Sequence, residues 1–230
     1  MADTPADTFP PNDGEGTLAS SLRRLPLFPL PNAVLFPHAL LPLHIFEERY
    51  RVMMRDVLTG TRFLAIGLLM PDAGADEELP SVQPIAGVGE VVMAHELPDG
   101  RFNLVVRGRA RVELQEELTS EEPYRVIVAN VRADLAVTQP RELADADQSL
   151  RALVGRLADS IPDGGELLRQ VVASQATPAE LADVLAAALV VDVQKRQRLL
   201  ESRDLVKRIE RVTAEVVAMT GRLGTTSLAN

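Results

Sequence analysis

The sequence predicts an α+β protein in which a β-rich N-terminal part containing one helix precedes a C-terminal bundle of helices. Three observations carry that prediction. From Leu22 to Ala133 short apolar runs alternate with Pro, Gly and Asp turn signals. Within that region Glu47 to Leu58 switches to apolar spacings of three and four. After Pro140 the composition turns to Ala, Leu, Arg, Asp and Glu, and no convincing strand pattern returns.

The elements follow in order. Residues 1–18 form an acidic tail with Asp3, Asp7, Asp13 and Glu15 and almost no apolar periodicity, so disorder is expected there. A β subdomain is expected over 19–137. Its first segment places Pro26, Pro29, Pro31, Pro37 and Pro42 among Leu, Val, Ile and Phe. Each proline removes a ladder donor, which argues against one helix or one central strand and for short strands broken by turns. The helix over Glu47 to Leu58 sets Tyr50, Met53, Met54, Val57 and Leu58 on one face and stops at Gly60. Strands are predicted at Phe63–Leu69, Ile85–Ala94, Arg101–Arg107, Ala110–Leu114 and Tyr124–Ala133, with Pro98-Asp99-Gly100 as a turn and residues 71–81 as an acidic surface loop. A helical bundle is expected over 138–224 and a tail over 225–230. Leu143, Leu150, Leu153, Val154 and Leu157 form one apolar stripe, and Thr177-Pro178-Ala179-Glu180 reads as a capping box with proline in the first turn. The last helix carries Leu205, Ile209, Val212, Val216, Met219 and Leu223 as a narrow seam. The seam is expected to pack on other helices of the same chain, with a dimeric coiled coil as the alternative, so the expected state is a monomer or weak homodimer.

Composition narrows the function. Apolar residues make up 46% of the 230 and charged residues 25%, which suits a globular protein. No run approaches the roughly 20 apolar residues of a membrane-spanning helix, and the first residues lack the basic start of a secretory signal. With no cysteine as well, a cytoplasmic location is expected, with no membrane partner. A net charge of -9, 3% aromatics and no Trp make nucleic acid an unexpected partner. Lys195 and Lys207 are the lysines of the chain and neither follows a glycine, so no P-loop is present. No GxSxG elbow occurs, and His38, His44 and His95 lack metal-ligand spacing. The expectation is a protein without catalytic residues, metal or cofactor.

The run Leu25-Pro26-Leu27-Phe28-Pro29-Leu30, followed by Val34-Leu35-Phe36-Pro37, Leu41-Pro42-Leu43 and Ile45-Phe46-Glu47, resembles the opening of the Lon protease N-terminal, substrate-binding domain family. Gly87-Val88-Gly89, Asp99-Gly100-Arg101, Leu104 to Gly108, Leu181-Ala182-Asp183 and Lys195 to Glu201 continue the resemblance, which extends from about Leu22 to Leu223. It implies a PUA-like pseudo-barrel with one helix, then the helical bundle, in what looks like a stand-alone bacterial form. It also implies recognition of unfolded or tagged polypeptides, the role this domain has in full-length Lon. ATPase and peptidase activity are not implied, and a peptidase label would rest on similarity alone.

Two surfaces are candidates for such binding. In the proline-rich segment, Phe28, Phe36, Leu40 and Leu41 would line a groove for apolar client segments, and an edge freed by proline would accept an extended peptide as a strand. The competing expectation is that these side chains are core. In the second, period two puts Arg107, Arg109 and Arg111 on one strand face, a stripe for RNA or a small anionic ligand. Pairing of those arginines with Glu90, Glu113 or Glu116 is the competing expectation.

Overall fold

A computed structural model describes residues 17–71, 80–161 and 164–226. The chain divides into two compact units, Met1–Arg132 and Ala133–Asn230. The architecture is the expected α+β one, a six-stranded sheet followed by helices. Most of the tail expected over 1–18 lies outside the described residues. Thr17 and Leu18 do not belong to it, because the Thr17 side chain caps the short helix α1 (Leu18–Ser21). Residues 72–79 of the acidic loop, and 227–230 at the C-terminus, also lie outside.

The first unit contains β1 (Leu25–Leu30), β2 (Leu40–Ile45), α2 (Glu48–Thr59), β3 (Phe63–Leu68), β4 (Ile85–Glu96), β5 (Phe102–Leu118) and β6 (Arg125–Val131). The sheet order is β2-β5-β4-β3-β1-β6, and β6 also pairs with β5, which closes five strands into a barrel and leaves β2 as an appended edge strand. β5 makes this possible by its length. Its first half, Phe102–Arg107, pairs with β2, and its second half, Val112–Leu118, pairs with β6. The sequence divides this segment into two strands around Gly108, whereas the structure runs through as one strand, irregular where Arg109 stands as an extra residue opposite the Val88–Gly89 step.

β1 corrects a second expectation, since a strand with Pro26 and Pro29 lies inside the sheet between β3 and β6. Each proline is paired on one side only. Pro26 stands in the β6 register, which covers Leu25–Leu27, and Pro29 in the β3 register, which covers Leu27–Leu30. A missing N–H is therefore tolerated at both positions.

One apolar cluster, with Leu25, Leu27, Ala65, Ala86, Val88, Val112, Ile127 and Ala129, draws on all five barrel strands. A second gathers the apolar face of α2, Tyr50, Met53, Met54, Val57 and Leu58, against Phe28, Leu64, Ile66, Val91 and Val126. The segment between β1 and β2 closes over this core. The Leu35 carbonyl lies where a Cβ on Gly87 would be, at 1.9 Å, and the Phe36 carbonyl stands at 1.9 Å from a Cβ built on Gly108. Glycine at both positions is what lets the backbones approach.

The second unit holds α3 (Pro140–Asp159), α4 (Gly165–Ser174), α5 (Pro178–Leu189), α6 (Val193–Glu201) and α7 (Leu205–Thr226). The capping box at Thr177 and Glu180 is formed. α7 packs on α3 and α5, and Ile209, Val212 and Val216 are fully buried there with Leu150, Leu157, Leu181 and Leu185. The middle of the seam is thus occupied within its own chain, whereas Leu205 and Met219 are only half-buried and the Leu223 side chain lies outside the described residues. Residues 133–137, placed with the β part on sequence grounds, join this unit because Leu135 N–H donates to the Arg203 carbonyl and Arg203 Nε donates to the Ala133 carbonyl. Asp134 accepts two bonds from Arg208, at 2.8 and 2.7 Å, and Arg208 Nε lies 3.2 Å from Asp183. No helix among the described residues is long and apolar enough to cross a membrane.

Candidate functional site

The four apolar residues singled out in the proline-rich segment fall into three environments. Phe36 is 0% exposed and Phe28 is buried against Tyr50, ring centroids 4.5 Å apart. Both are core because β1 and the following segment face inward. Leu41 is half-buried and turned to the same core. Leu40 alone has a broad exposed surface, 57%.

Of the arginines, Arg107 and Arg109 both lie beside Glu90 and Arg111 is set apart. Arg107 is exposed, directly across from Leu40. Arg109 donates through Nε to Glu90 at 2.9 Å. Arg111 is 5% exposed and has a partner of its own. The extra residue at Arg109 shifts the alternation of β5, so period two does not hold across 107–111 and no stripe of three forms.

What the structure assembles instead is an apolar face on β2, β5 and β4. Successive rows across the strands are Leu40, Arg107 and Glu90; then Pro42, Val105 and Met93; then His44, Asn103 and His95. Pro42 and His44 form one wall and Met93 and His95 the other of a shallow trough of about 460 Å³, floored by Val105 and Asn103. Phe46 (63% exposed) continues it beyond His44, Met93 in its wall is 57% exposed, and Val92 is exposed where the β4 register shifts. The His44 ring stacks on Phe46, centroids 6.3 Å apart, and its Nδ1 lies 2.7 Å from Asn103 Oδ1. An amide oxygen only accepts, so His44 Nδ1 is the donor in this pair.

Phe46 and Met93 were not among the residues chosen from sequence. A signal for Phe46 was present, because period two from Leu40 through Pro42 and His44 reaches it. No such signal exists for Met93, whose outward turn depends on the register shift at Val92. A second hollow, lined by Arg49, Tyr50, Ser120, Tyr124 and Arg125, is a poor anion site because its cations are engaged. Arg125 grips Glu117 at 2.8 and 2.6 Å, and Arg49 pairs with Glu47 while lying over the Tyr50 ring. Among the described residues no group of three or more His, Asp or Glu is placed to hold a metal ion. The face offers apolar area, an open strand edge and, at its Leu40 end, Arg107 together with the Arg109–Glu90 pair.

A closed barrel with an appended edge strand, followed in the chain by a helical unit, is a fold shared with solved Lon N-terminal domains. The N-terminal domain of a Mycobacterium avium complex Lon protease superposes with a TM-score of 0.65 at 16% identity, over 85% of this chain and 98% of that one. A Lon N-terminal domain protein from Xanthomonas campestris gives a TM-score of 0.56 at 22% identity, covering 83% and 97%. The chain belongs to the family of the ATP-dependent protease La (LON) substrate-binding domain, whose profile matches residues 24–218. It is 27% identical over 190 residues to Lon protease of Dictyoglomus thermophilum and 27% identical over 203 residues to that of Azospirillum brasilense, covering 82% and 86% of this chain. It spans 24% of the length of each of these curated relatives.

Proposed function

We propose that this chain is a noncatalytic module that binds unfolded or partly unfolded client polypeptide on the outer face of β2, β5 and β4, and that it serves proteolysis. The observation that carries this reading is the apolar trough walled by Pro42 and Met93, with exposed Leu40 and Phe46 at either end of the outward row of β2. Scattered apolar residues are ordinary on a surface, whereas several contiguous ones mark an interaction site. The family's substrate-binding description and the Lon protease relatives favour a polypeptide ligand. The module acts in the cytoplasm, as a cysteine-free chain suggests, and as a monomer or weak homodimer, in keeping with Ile209, Val212 and Val216 of α7 buried within the chain. The arginine-based alternative has little support, since Arg107, Arg109 and Arg111 do not share one face.

The test is an anisotropy titration of fluorescein-labelled, reduced and carboxymethylated α-lactalbumin, and of labelled single-stranded RNA, at low and moderate salt. Saturable binding of the unfolded protein that survives moderate salt is expected. The double substitution Phe46→Ser and Met93→Ser removes two large side chains worth about 1.5–3 kcal/mol each on full burial, so even half-burial predicts a loss of at least about tenfold. Unchanged affinity in that variant would remove the face from the argument. RNA binding that collapses with salt, without unfolded-protein binding, would move the function to the arginines.

A further inference from the structure

Among the described residues β2 is the one strand of the sheet with a partner on a single side, and its backbone polarity can be assigned. Gly108 N–H donates to the Ala39 carbonyl at 2.9 Å, and Ala39 stands one step before the Leu40–Arg107 pair. Hydrogen-bonded pairs alternate along an antiparallel ladder, so Leu41, Leu43 and Ile45 turn their N–H and C=O groups to β5. Leu40, Pro42 and His44 turn theirs to the open edge. Among the described residues no loop backbone and no side chain hydrogen-bonds to those outward groups. The same three residues also carry the outward side chains of the apolar face, so edge and face are continuous.

Proline at the middle position fits this geometry. On the inner side it would break the ladder to β5, whereas on the outer side it deletes one donor from the free edge. A mid-edge proline is also a device against edge-to-edge aggregation. The edge therefore presents the N–H of Leu40, the N–H of His44 and three carbonyls.

We propose that this edge takes an extended segment of the client as an added antiparallel strand. The proposal rests on the client-binding reading and specifies the class of ligand. The occupant is a polypeptide with apolar side chains at three alternate positions, opposite Leu40, Pro42 and His44. Directly opposed residues share a face, so those side chains enlarge the apolar surface formed with Phe46, Val105 and Met93. The N–H groups of the same three client residues donate to the carbonyls of Leu40, Pro42 and His44. The client carbonyl opposite Pro42 receives no bond. Arg107 stands beside Leu40, and Glu90 on its other side is already held by Arg109, so that end carries a net positive charge and favours an acidic residue in the segment. A helix laid over the face and its edge would shield the outward N–H and C=O groups of β2 from water without pairing them, and for that reason an extended occupant is favoured.

A short labelled peptide of alternating valine and threonine ending in glutamate, titrated into the full chain, tests this. Single N-methyl groups are moved along its backbone. Binding is expected to fall about tenfold or more for N-methylation at the valines and to change little at the threonines, a period of two. Pro42→Ala restores the missing donor and is expected to tighten binding roughly fivefold, the equivalent of one ordinary hydrogen bond, with circular dichroism confirming its fold. Uniform tolerance of N-methylation, or Pro42→Ala without effect, overturns strand addition while leaving side-chain binding in the trough. Failure of the peptide where carboxymethylated α-lactalbumin still binds does the same, and failure of both removes the client-binding reading itself. A dimer that Pro42→Ala strengthens and that the peptide does not compete assigns the edge to a second copy and overturns the proposal.

Discussion

Tyr50 and Tyr124 tie α2 to the barrel by different means, and both depend on a neutral phenol. The Tyr124 hydroxyl donates to Asp56 Oδ2 at 2.8 Å, while the Tyr50 ring is wedged between Phe28 and the Arg49 guanidinium. Burial raises the pKa of each above the ordinary value near 10, and for Tyr124 the hydrogen bond to Asp56 raises it further. An unfolded chain loses its phenolic protons first as pH rises, so the native state holds more protons above about pH 10 and stability falls there. The contribution is complete below that pH. These are the two tyrosines of a chain without Trp, so absorbance at 295 nm reads them directly. In the folded protein both phenols are expected to ionise at higher pH than they do after unfolding. A reversible native titration centred near pH 10 would refute the burial argument. The residue scale is also where the sequence was least legible. Phe28, Phe36 and Phe46 occupy similar apolar contexts, and whether each is core or surface depends on neighbours that no local pattern encodes.

At the scale of elements, patterns with a period or a cap were legible. The α2 face, the Thr177 capping box and the middle of the α7 seam, Ile209 to Val216, occur where spacing put them, because each expresses a local rule. What escaped was long-range. The continuity of β5 and the interior place of β1 follow from pairing between distant segments, and the irregularity at Arg109 dismantles a stripe that period two would have made. Gly108 illustrates the difference. It reads as a break in a strand, yet its role is to admit the Phe36 carbonyl. Gly155, inside α3, has no atom within 4 Å of a built Cβ. The two are therefore expected to respond oppositely to alanine. Gly155→Ala should stabilise by about 0.5–1 kcal/mol through helix propensity. Gly108→Ala forces backbone apart and should destabilise by about 1–3 kcal/mol. Urea unfolding decides it, and equal signs for the two would mean that close approach at Gly108 is not constraining.

Over the whole molecule, ion pairs are numerous but unequal. Most, such as Arg55 with Glu96 or Arg101 with Asp99, are exposed, and exposed pairs contribute about 0–1 kcal/mol. Arg208 is different, with no exposed surface and two carboxylates about it. Burial alone would lower its pKa, but the hydrogen bond to Asp134 and the charge of Asp183 more than offset this and raise it. Asp134 precedes α3, Asp183 is on α5 and Arg208 on α7, so one guanidinium ties three segments of the helical unit. Arg208→Ala leaves Asp183 buried without its cation, a change that costs about 3–5 kcal/mol in comparable sites. Since the barrel has its own core and none of these residues, the loss should be confined to one unit. Hydrogen exchange is expected to accelerate across α3, α5 and α7 and to remain slow in β3, β4 and β5. Equal acceleration in the strands would show that the two units unfold as one, and the stability of the client-binding face would then depend on a residue in the other unit.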